Sequence, residues 1–142
     1  MRTINAILGV MFLFSIIGAQ AQDQPSTAAE NPNAPVVQFE KMVHDYGTIK
    51  KNSDGTCEFV FKNTGKEPLI LSNVKTSCGC TTPYWPHEPI MPGKTEKIKI
   101  QYATGRVGPI NKTITVFSNA KNDAIVLSIK GLVEDVAEPE QK

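Results

Sequence analysis

Two cysteines separated by a single glycine are the residues of this chain with the clearest chemical potential. Cys78 and Cys80 lie in the stretch TSCGCTTPYWP, residues 76–86, whose small residues and prolines are typical of a loop. Two thiols this close together can form a disulfide, exchange with other thiols, bind a soft metal ion or simply pack. The residue types alone leave all four roles open.

The spacing of these cysteines is compatible with a disulfide bond between them. Residues at i and i+2 of an extended chain point to the same side. The Cα atoms of Cys78 and Cys80 are then about 6.5–7 Å apart, which is near the upper limit for a bridge. Gly79 can shorten this distance by adopting a positive φ. The sequence therefore allows a Cys78–Cys80 bridge, which we expect to be strained and readily reduced.

The third cysteine, Cys57, differs from the other two in its surroundings. It falls in phase with Phe59 and Phe61 in an alternating pattern, so we predict that it is a buried, small apolar residue. Three cysteines cannot all pair within one chain. The single bridges that can be drawn are Cys57–Cys78, Cys57–Cys80 and Cys78–Cys80, and each leaves one thiol over.

Metal binding and partner binding are the other chemistries of this region. Paired thiolates suit copper(I) or zinc, and His87 follows Cys80 by seven residues. Cys78, Cys80 and His87 are therefore the candidate metal ligands, with His44 as a fourth, although the spacing matches no common zinc motif and no cofactor is required. Trp85 is either an aromatic binding residue or a cap over the end of the fold beside the cysteine loop.

Alternating apolar and polar residues predict the strands that position this loop. Residues 95–102 (TEKIKIQY) place Ile98, Ile100 and Tyr102 on one face, which is the pattern of a half-buried strand. The predicted strands are residues 36–40, 56–63, 68–75, 95–102, 110–117 and 124–133, and the predicted turns are 63–66, 91–94, 118–123 and a hairpin connection at 104–109. About seven short strands and no sustained helical period predict an all-β, immunoglobulin-like antiparallel sandwich, with a small barrel as the alternative.

The two ends of the chain differ in composition from its middle. The N-terminus carries Arg2, then an apolar run, then an A-x-A pattern that ends at Ala21, as in a secretory signal peptide. The predicted divisions are a signal peptide at 1–21, a disordered linker at 22–35, one domain at 36–134 and a disordered tail at 135–142. We therefore expect export, to the periplasm or beyond the outer membrane, with no transmembrane segment after cleavage.

The charge balance and the missing motifs narrow the classes of partner. The chain has 142 residues, with 15 Lys and Arg against 14 Asp and Glu, so it presents no electrostatic footprint for nucleic acid. It contains no G-x-S-x-G, no H-E-x-x-H and no phosphate-binding glycine loop. These features predict a protein that is not an enzyme. Together with the predicted sandwich and the expected export, they make an unidentified envelope protein or glycan the expected partner.

The serial order of several motifs resembles a known bacterial family. The motifs are HDYGTI at 44–49, FVFKNTGKEPLIL at 59–71, SCGCTTP at 77–83, PIMPGK at 89–94 and GRVGPINKTITVFSNA at 105–120. Together they resemble the family called domain of unknown function 1573 over nearly all of residues 36–134. The resemblance implies an immunoglobulin-like sandwich, similar to domains of pilus chaperones, major sperm protein and ciliary scaffold proteins, in an exported envelope protein of Bacteroidetes-type bacteria. It implies no activity, so three hypotheses stand: a binding or scaffold module, a redox protein acting through Cys78 and Cys80, and a metal site.

Overall fold

The computed structural model describes residues 31–135, which form two packed sheets of four strands each. In chain order the strands are β1 (Val37–Phe39), β2 (Val43–Lys50), β3 (Thr56–Asn63), β4 (Leu71–Thr76), β5 (Thr81–Tyr84), β6 (Thr95–Tyr102), β7 (Gly108–Ser118) and β8 (Ala124–Glu134). The strand order is β1-β3-β6-β5 in the first sheet and β2-β8-β7-β4 in the second. The predicted all-β sandwich is confirmed. Nowhere in the described range does a helix occur that is long and apolar enough to cross a membrane.

The alternating residues form the core between the two sheets. Phe59 lies opposite Ile98 across the β3–β6 ladder, and Ile114 lies opposite Leu127 across the β7–β8 ladder. All four side chains are fully buried. Because burying a side chain of this size contributes about 1.5–3 kcal/mol, the alternation fixes which face of each sheet turns inward.

Two strands, β2 and β5, have no counterpart among the predicted segments. β5 contains Pro83, which the sheet tolerates because β5 lies at an edge and pairs with β6 alone. β2 pairs with β8 in parallel, and its register shifts between Asp45 and Thr48, next to Gly47 with φ of 61°. The sandwich therefore contains one parallel pair, whereas the sequence predicts an antiparallel fold throughout.

The connections between strands confirm one predicted turn and correct another. The Lys94 N–H donates to the carbonyl of Met91 at 3.0 Å, and Gly93 has φ of 79°, as in a type II turn. The hairpin predicted at 104–109 is wrong, because β6 and β7 belong to different sheets. Residues 103–107 instead carry the chain across from one sheet to the other.

The predicted linker is partly ordered. The carbonyl of Pro35 accepts a hydrogen bond from the Lys121 N–H at 3.0 Å, and the carbonyl of Asn33 accepts one from the Lys66 N–H at 3.2 Å. The disorder predicted up to residue 35 is therefore wrong for residues 31–35, because these carbonyls satisfy donors in neighbouring turns. The predicted signal peptide, the rest of the predicted linker and residues 136–142 lie outside the described residues.

Candidate functional site

The bridged loop, residues 77–80, carries the chain from β4 in one sheet to β5 in the other. Cys78 and Cys80 form a disulfide whose Cα atoms lie 5.4 Å apart. This separation falls in the middle of the usual range of about 4.4–6.8 Å. The Cα separation near the upper limit, which an extended chain predicts, is therefore wrong. Gly79 does not adopt a positive φ, so a positive φ at this glycine is not what shortens the Cα separation. A turn at residues 79–80 shortens the path instead.

Hydrogen bonds from main-chain N–H groups tie the bridged loop to both sheets. The Ser77 N–H donates to the carbonyl of Thr113 on β7 at 3.0 Å, and the Thr113 N–H donates to the Ser77 Oγ at 3.1 Å. On the other side, the Ala103 N–H donates to the carbonyl of Cys80 at 2.8 Å. The disulfide is therefore held at a fixed place at one end of the sandwich.

The sulfur of Cys78 lies against a buried hydroxyl. Its Sγ is 3.6 Å from the Oγ1 of Thr81, which is 3 % exposed. The hydroxyl of Thr76 donates to the carbonyl of Cys78 at 2.9 Å and so fixes the start of the loop. Cys78 thus has a polar hydrogen-bonding neighbour for its sulfur inside the fold.

A cleft of about 320 Å³ opens beside Cys80, and we call it the end cleft. It is lined by Cys80, residues 102–103, residues 105–109 and Lys112. Its volume is at the lower end of the range for ligand sites, about 300–1,000 Å³. The end cleft therefore fits a side chain or a short peptide segment.

Two cations line the end cleft. Arg106 is exposed in the crossover between the sheets, and Lys112 is half-buried on the inward phase of β7, between the buried Ile110 and Ile114. Within residues 31–135 neither cation takes part in an ion pair, and the residues that line the cleft include no acid. The end cleft therefore carries uncompensated positive charge, which favours anionic groups.

A known family model matches most of the part of the chain that contains this site. The model described as "Protein of unknown function (DUF1573)" matches residues 37–133. The chain belongs to this family. The matched region runs from β1 into β8, so it contains both the bridged loop and the end cleft. A search of curated proteins found no match.

Solved structures share the fold of this DUF1573 domain. A protein of unknown function from Porphyromonas gingivalis W83 aligns with a TM-score of 0.64 and 19% identity, over 75% of this chain and 51% of that one. The PapD-like domain 7 of human CEP192 aligns with a TM-score of 0.64 and 8% identity, over 85% of this chain and 99% of that one. The secreted serine protease VesC from Vibrio cholerae aligns with a TM-score of 0.51 and 12% identity, over 75% and 24%. The DUF1573 chain thus spans about half of the Porphyromonas protein, and at these identities the likeness is one of fold.

Trp85 and His87 lie at the other end of β5 from the disulfide. The four residues of β5 separate them from the bridged loop by about 13 Å at the usual strand rise. The Trp85 ring packs against the core and lies 5.0 Å from the His87 ring, measured between centroids. Trp85 therefore packs against the core at a distance from the cysteine loop, and it does not line the end cleft.

The structure does not bring the candidate metal ligands together. The sulfurs of Cys78 and Cys80 are bonded to each other, and a disulfide offers copper or zinc no thiolate. His87 lies beyond β5, and His44 stacks on Tyr46 at 4.6 Å between ring centroids. Across residues 31–135 no three His, Cys, Asp or Glu side chains are grouped as metal ligands would be.

Cys57 is buried in the core of the DUF1573 domain, as predicted. It is 5 % exposed, lies opposite Ile100 on β6 and is not in a disulfide. Burial raises the pKa of its thiol, because the thiolate is poorly solvated there. Of the three bridges that the sequence allows, the structure contains Cys78–Cys80, and Cys57 is left as a packing residue.

Sequence reasoning missed Lys112 and misplaced Arg106. Arg106 falls within the predicted hairpin connection at 104–109, whereas it lies in a crossover that forms one wall of the end cleft. Lys112 carries a signal that the sequence does contain: it shares the alternating phase of Ile110, Ile114 and Val116, all of which are buried. A charged residue in the apolar phase of a strand is the sequence signal that singles out Lys112.

Proposed function

We propose that this DUF1573 domain is a non-enzymatic binding module of the periplasm, which holds an acidic segment of a protein partner in the end cleft. The observation that carries the proposal is the pair of unpaired cations, Arg106 and Lys112, on a cleft without acidic residues. Carboxylates that enter such a cleft gain charge-assisted hydrogen bonds, and arginine can bind them through two parallel N–H groups.

The walls of the end cleft support this role because they are preorganised. The Asn52 N–H donates to the carbonyl of Thr104 at 3.1 Å, and the hydroxyl of Thr104 donates to the carbonyl of Ser53. Thr104 itself is 5 % exposed. Loops that are ordered before binding lose less conformational entropy when a partner docks, so more of the contact energy appears as affinity.

An exposed apolar residue beside the cations supports a peptide partner. Val107 lines the end cleft and is 53 % exposed. Combined with Arg106 and Lys112, it offers both an apolar contact and positive charge, as protein-binding surfaces commonly do. The N-terminal signal-peptide pattern that ends at Ala21 is the feature that supports the periplasm.

The test is site-specific photocrosslinking in living cells. A photoreactive amino acid replaces Val107 in the end cleft, and in a second variant it replaces Lys121, which is exposed in the turn after β7. The 11 residues of β7 place these two positions about 35 Å apart, so they sample opposite ends of the sandwich. We expect a discrete adduct from position 107 that is lost in Arg106→Glu/Lys112→Glu, and none from position 121.

Two results contradict the binding role. One is equal labelling from positions 107 and 121, which indicates random collision. The other is an adduct at position 107 that survives reversal of both cleft charges. A further variant, Lys121→Glu, reverses one charge remote from the cleft and controls for charge reversal as such.

A further inference from the structure

We propose that the Cys78–Cys80 disulfide is an exchange centre for anionic thiols that enter the end cleft, with Cys80 as the attacked sulfur and Cys78 as the leaving thiolate. This activity goes beyond partner binding. For a protein substrate it rests on the proposed function, because the same cleft would present the partner's thiol. For small thiols it stands alone.

The two cysteines of the bridge differ in their surroundings. Cys80 lines the end cleft, whereas Cys78 does not. The Sγ of Cys78 instead faces the buried hydroxyl of Thr81 at 3.6 Å. Both cysteines are half-buried, and the attack is assigned to Cys80 because it is the one of the two that lines the cleft.

The cleft cations favour the attacking group. The nucleophile in disulfide exchange is the thiolate, and positive charge nearby raises its local concentration. Arg106 and Lys112 line the same cleft as Cys80 and have no acidic partner within the described residues. Thiols that carry further negative charge are attracted more strongly than thiols that carry positive charge.

The environment of Cys78 favours its departure. A hydroxyl at hydrogen-bonding distance stabilises a thiolate, and a stabilised thiolate leaves faster. The Oγ1 of Thr81 is placed to donate to Cys78 once the bond to Cys80 breaks. Cys57 is buried opposite Ile100, two strands away from β5, so it takes no part in the exchange.

The chemical step balances with the thiol as the reductant. The incoming thiolate forms a bond to the Sγ of Cys80 as the Cys78–Cys80 bond breaks, and the electron pair moves to the Sγ of Cys78. This thiolate takes a proton from water or attacks the mixed disulfide again. A second thiol releases the oxidised thiol pair and leaves two protein thiols, so two electrons and two protons have moved to the bridge.

The test compares two small thiols of opposite charge on the oxidised full chain. Glutathione carries net negative charge and cysteamine carries positive charge, and both are supplied at equal thiolate concentration. Iodoacetamide quenches the reaction by alkylating free thiols, and mass spectrometry then shows which cysteine carries the added thiol and which carries the alkyl group. We expect glutathione on Cys80 and the alkyl group on Cys78, at a rate for glutathione at least about tenfold above that for cysteamine.

Matched variants separate the contributions of the cleft and of the hydroxyl. Arg106→Glu/Lys112→Glu should reverse the preference between the two thiols, whereas Lys121→Glu should leave it unchanged. Thr81→Val should slow glutathione attack severalfold, and Thr81→Ser should restore it. Thermal unfolding of each variant verifies that it folds.

Three outcomes overturn the exchange proposal: adducts mainly on Cys78, a thiol preference that survives charge reversal, or a bridge that resists both thiols in the folded protein. These outcomes are separable from failure of the binding role. A lost crosslink at position 107 with intact glutathione exchange contradicts only the binding role. An intact crosslink with an inert disulfide contradicts only the exchange.

Discussion

Replacing Gly55 with alanine should strongly destabilise the domain, although the φ of Gly55 is not positive. A Cβ added at this residue would lie 2.1 Å from the carbonyl oxygen of Tyr102 and 2.9 Å from the Cγ2 of Thr104. The carbonyl belongs to the main chain at the end of β6, so it cannot rotate away. The Tyr102 N–H also donates to the carbonyl of Gly55 at 2.9 Å, and the Tyr46 hydroxyl donates to the same carbonyl at 2.6 Å.

The magnitude follows from these contacts. Overpacking usually costs about 1–3 kcal/mol, and a clash between two main-chain segments belongs at the upper end of that range. A loss of about 3 kcal/mol in a domain of this size lowers the melting temperature by about 12–24 °C. The expected change is therefore far outside the error of a thermal scan.

The assay is thermal unfolding followed by circular dichroism, with urea unfolding as a second measurement. Gly79→Ala is the matched control, because a Cβ at Gly79 meets nothing within 4 Å and its φ is not positive. We expect Gly79→Ala to stay within about 0.5 kcal/mol of the wild type. If Gly55→Ala unfolds at the same temperature as Gly79→Ala, the close approach between the β2–β3 connection and the end of β6 is refuted.

Three further predictions concern single side chains. Asn63 is fully buried and its amide donates to the carbonyl of Ile90 at 2.9 Å. Asn63→Ala should therefore lower the free energy of unfolding in urea by about 3 kcal/mol. A loss below about 1 kcal/mol would contradict a stabilising role for this hydrogen bond. The Nε1–H of Trp85 is buried without an acceptor in the described part of the chain. The free energy of unfolding of Trp85→Phe should therefore stay within about 1 kcal/mol of the wild type, whereas Trp85→Ala should lose about 3 kcal/mol. Equal losses in the two variants would argue against an unsatisfied donor at Trp85. The Gly47 N–H lowers the pKa of Asp45 below its usual value of 3.8, so this carboxylate contributes stability that is present above that value and is lost as the pH falls through the lowered pKa. Asp45→Asn should therefore flatten the dependence of the melting temperature on acid pH, and an unchanged slope would count against the hydrogen bond.

The central strands β3 and β6 are the ones whose bounds the sequence pattern predicts to the residue. β3 and β6 alternate clearly because Phe59 and Ile98 face the core while Glu58 and Lys97 face solvent, where they pair at 2.8 Å. β5 is short and contains Pro83, and a proline is acceptable there because β5 lies at an edge. Edge position is a property of the tertiary fold, so the local sequence does not reveal it.

The candidate site was predictable in its cysteines and not in its cations. The close pair Cys78 and Cys80 is visible as a motif, but its Cα separation depends on a local turn that the amino-acid sequence does not specify. Arg106 and Lys112 reach the bridged loop because residues 103–107 cross between the sheets. Glycine and proline are common in hairpin turns and in crossovers alike, so packing alone decides whether a hairpin or a crossover forms.

The parallel pairing of β2 with β8 has a consequence for how the polypeptide acquires its shape during synthesis. In the described part of the chain, β2 has β8 as its single sheet neighbour, and β8 ends at Glu134. A growing chain on the ribosome therefore cannot finish the second sheet until the residues of β8 have emerged. Pairing of strands so distant along the chain is slow, on the order of milliseconds to seconds. For that interval its unpaired β2 edge is open to chaperones or to other copies of itself.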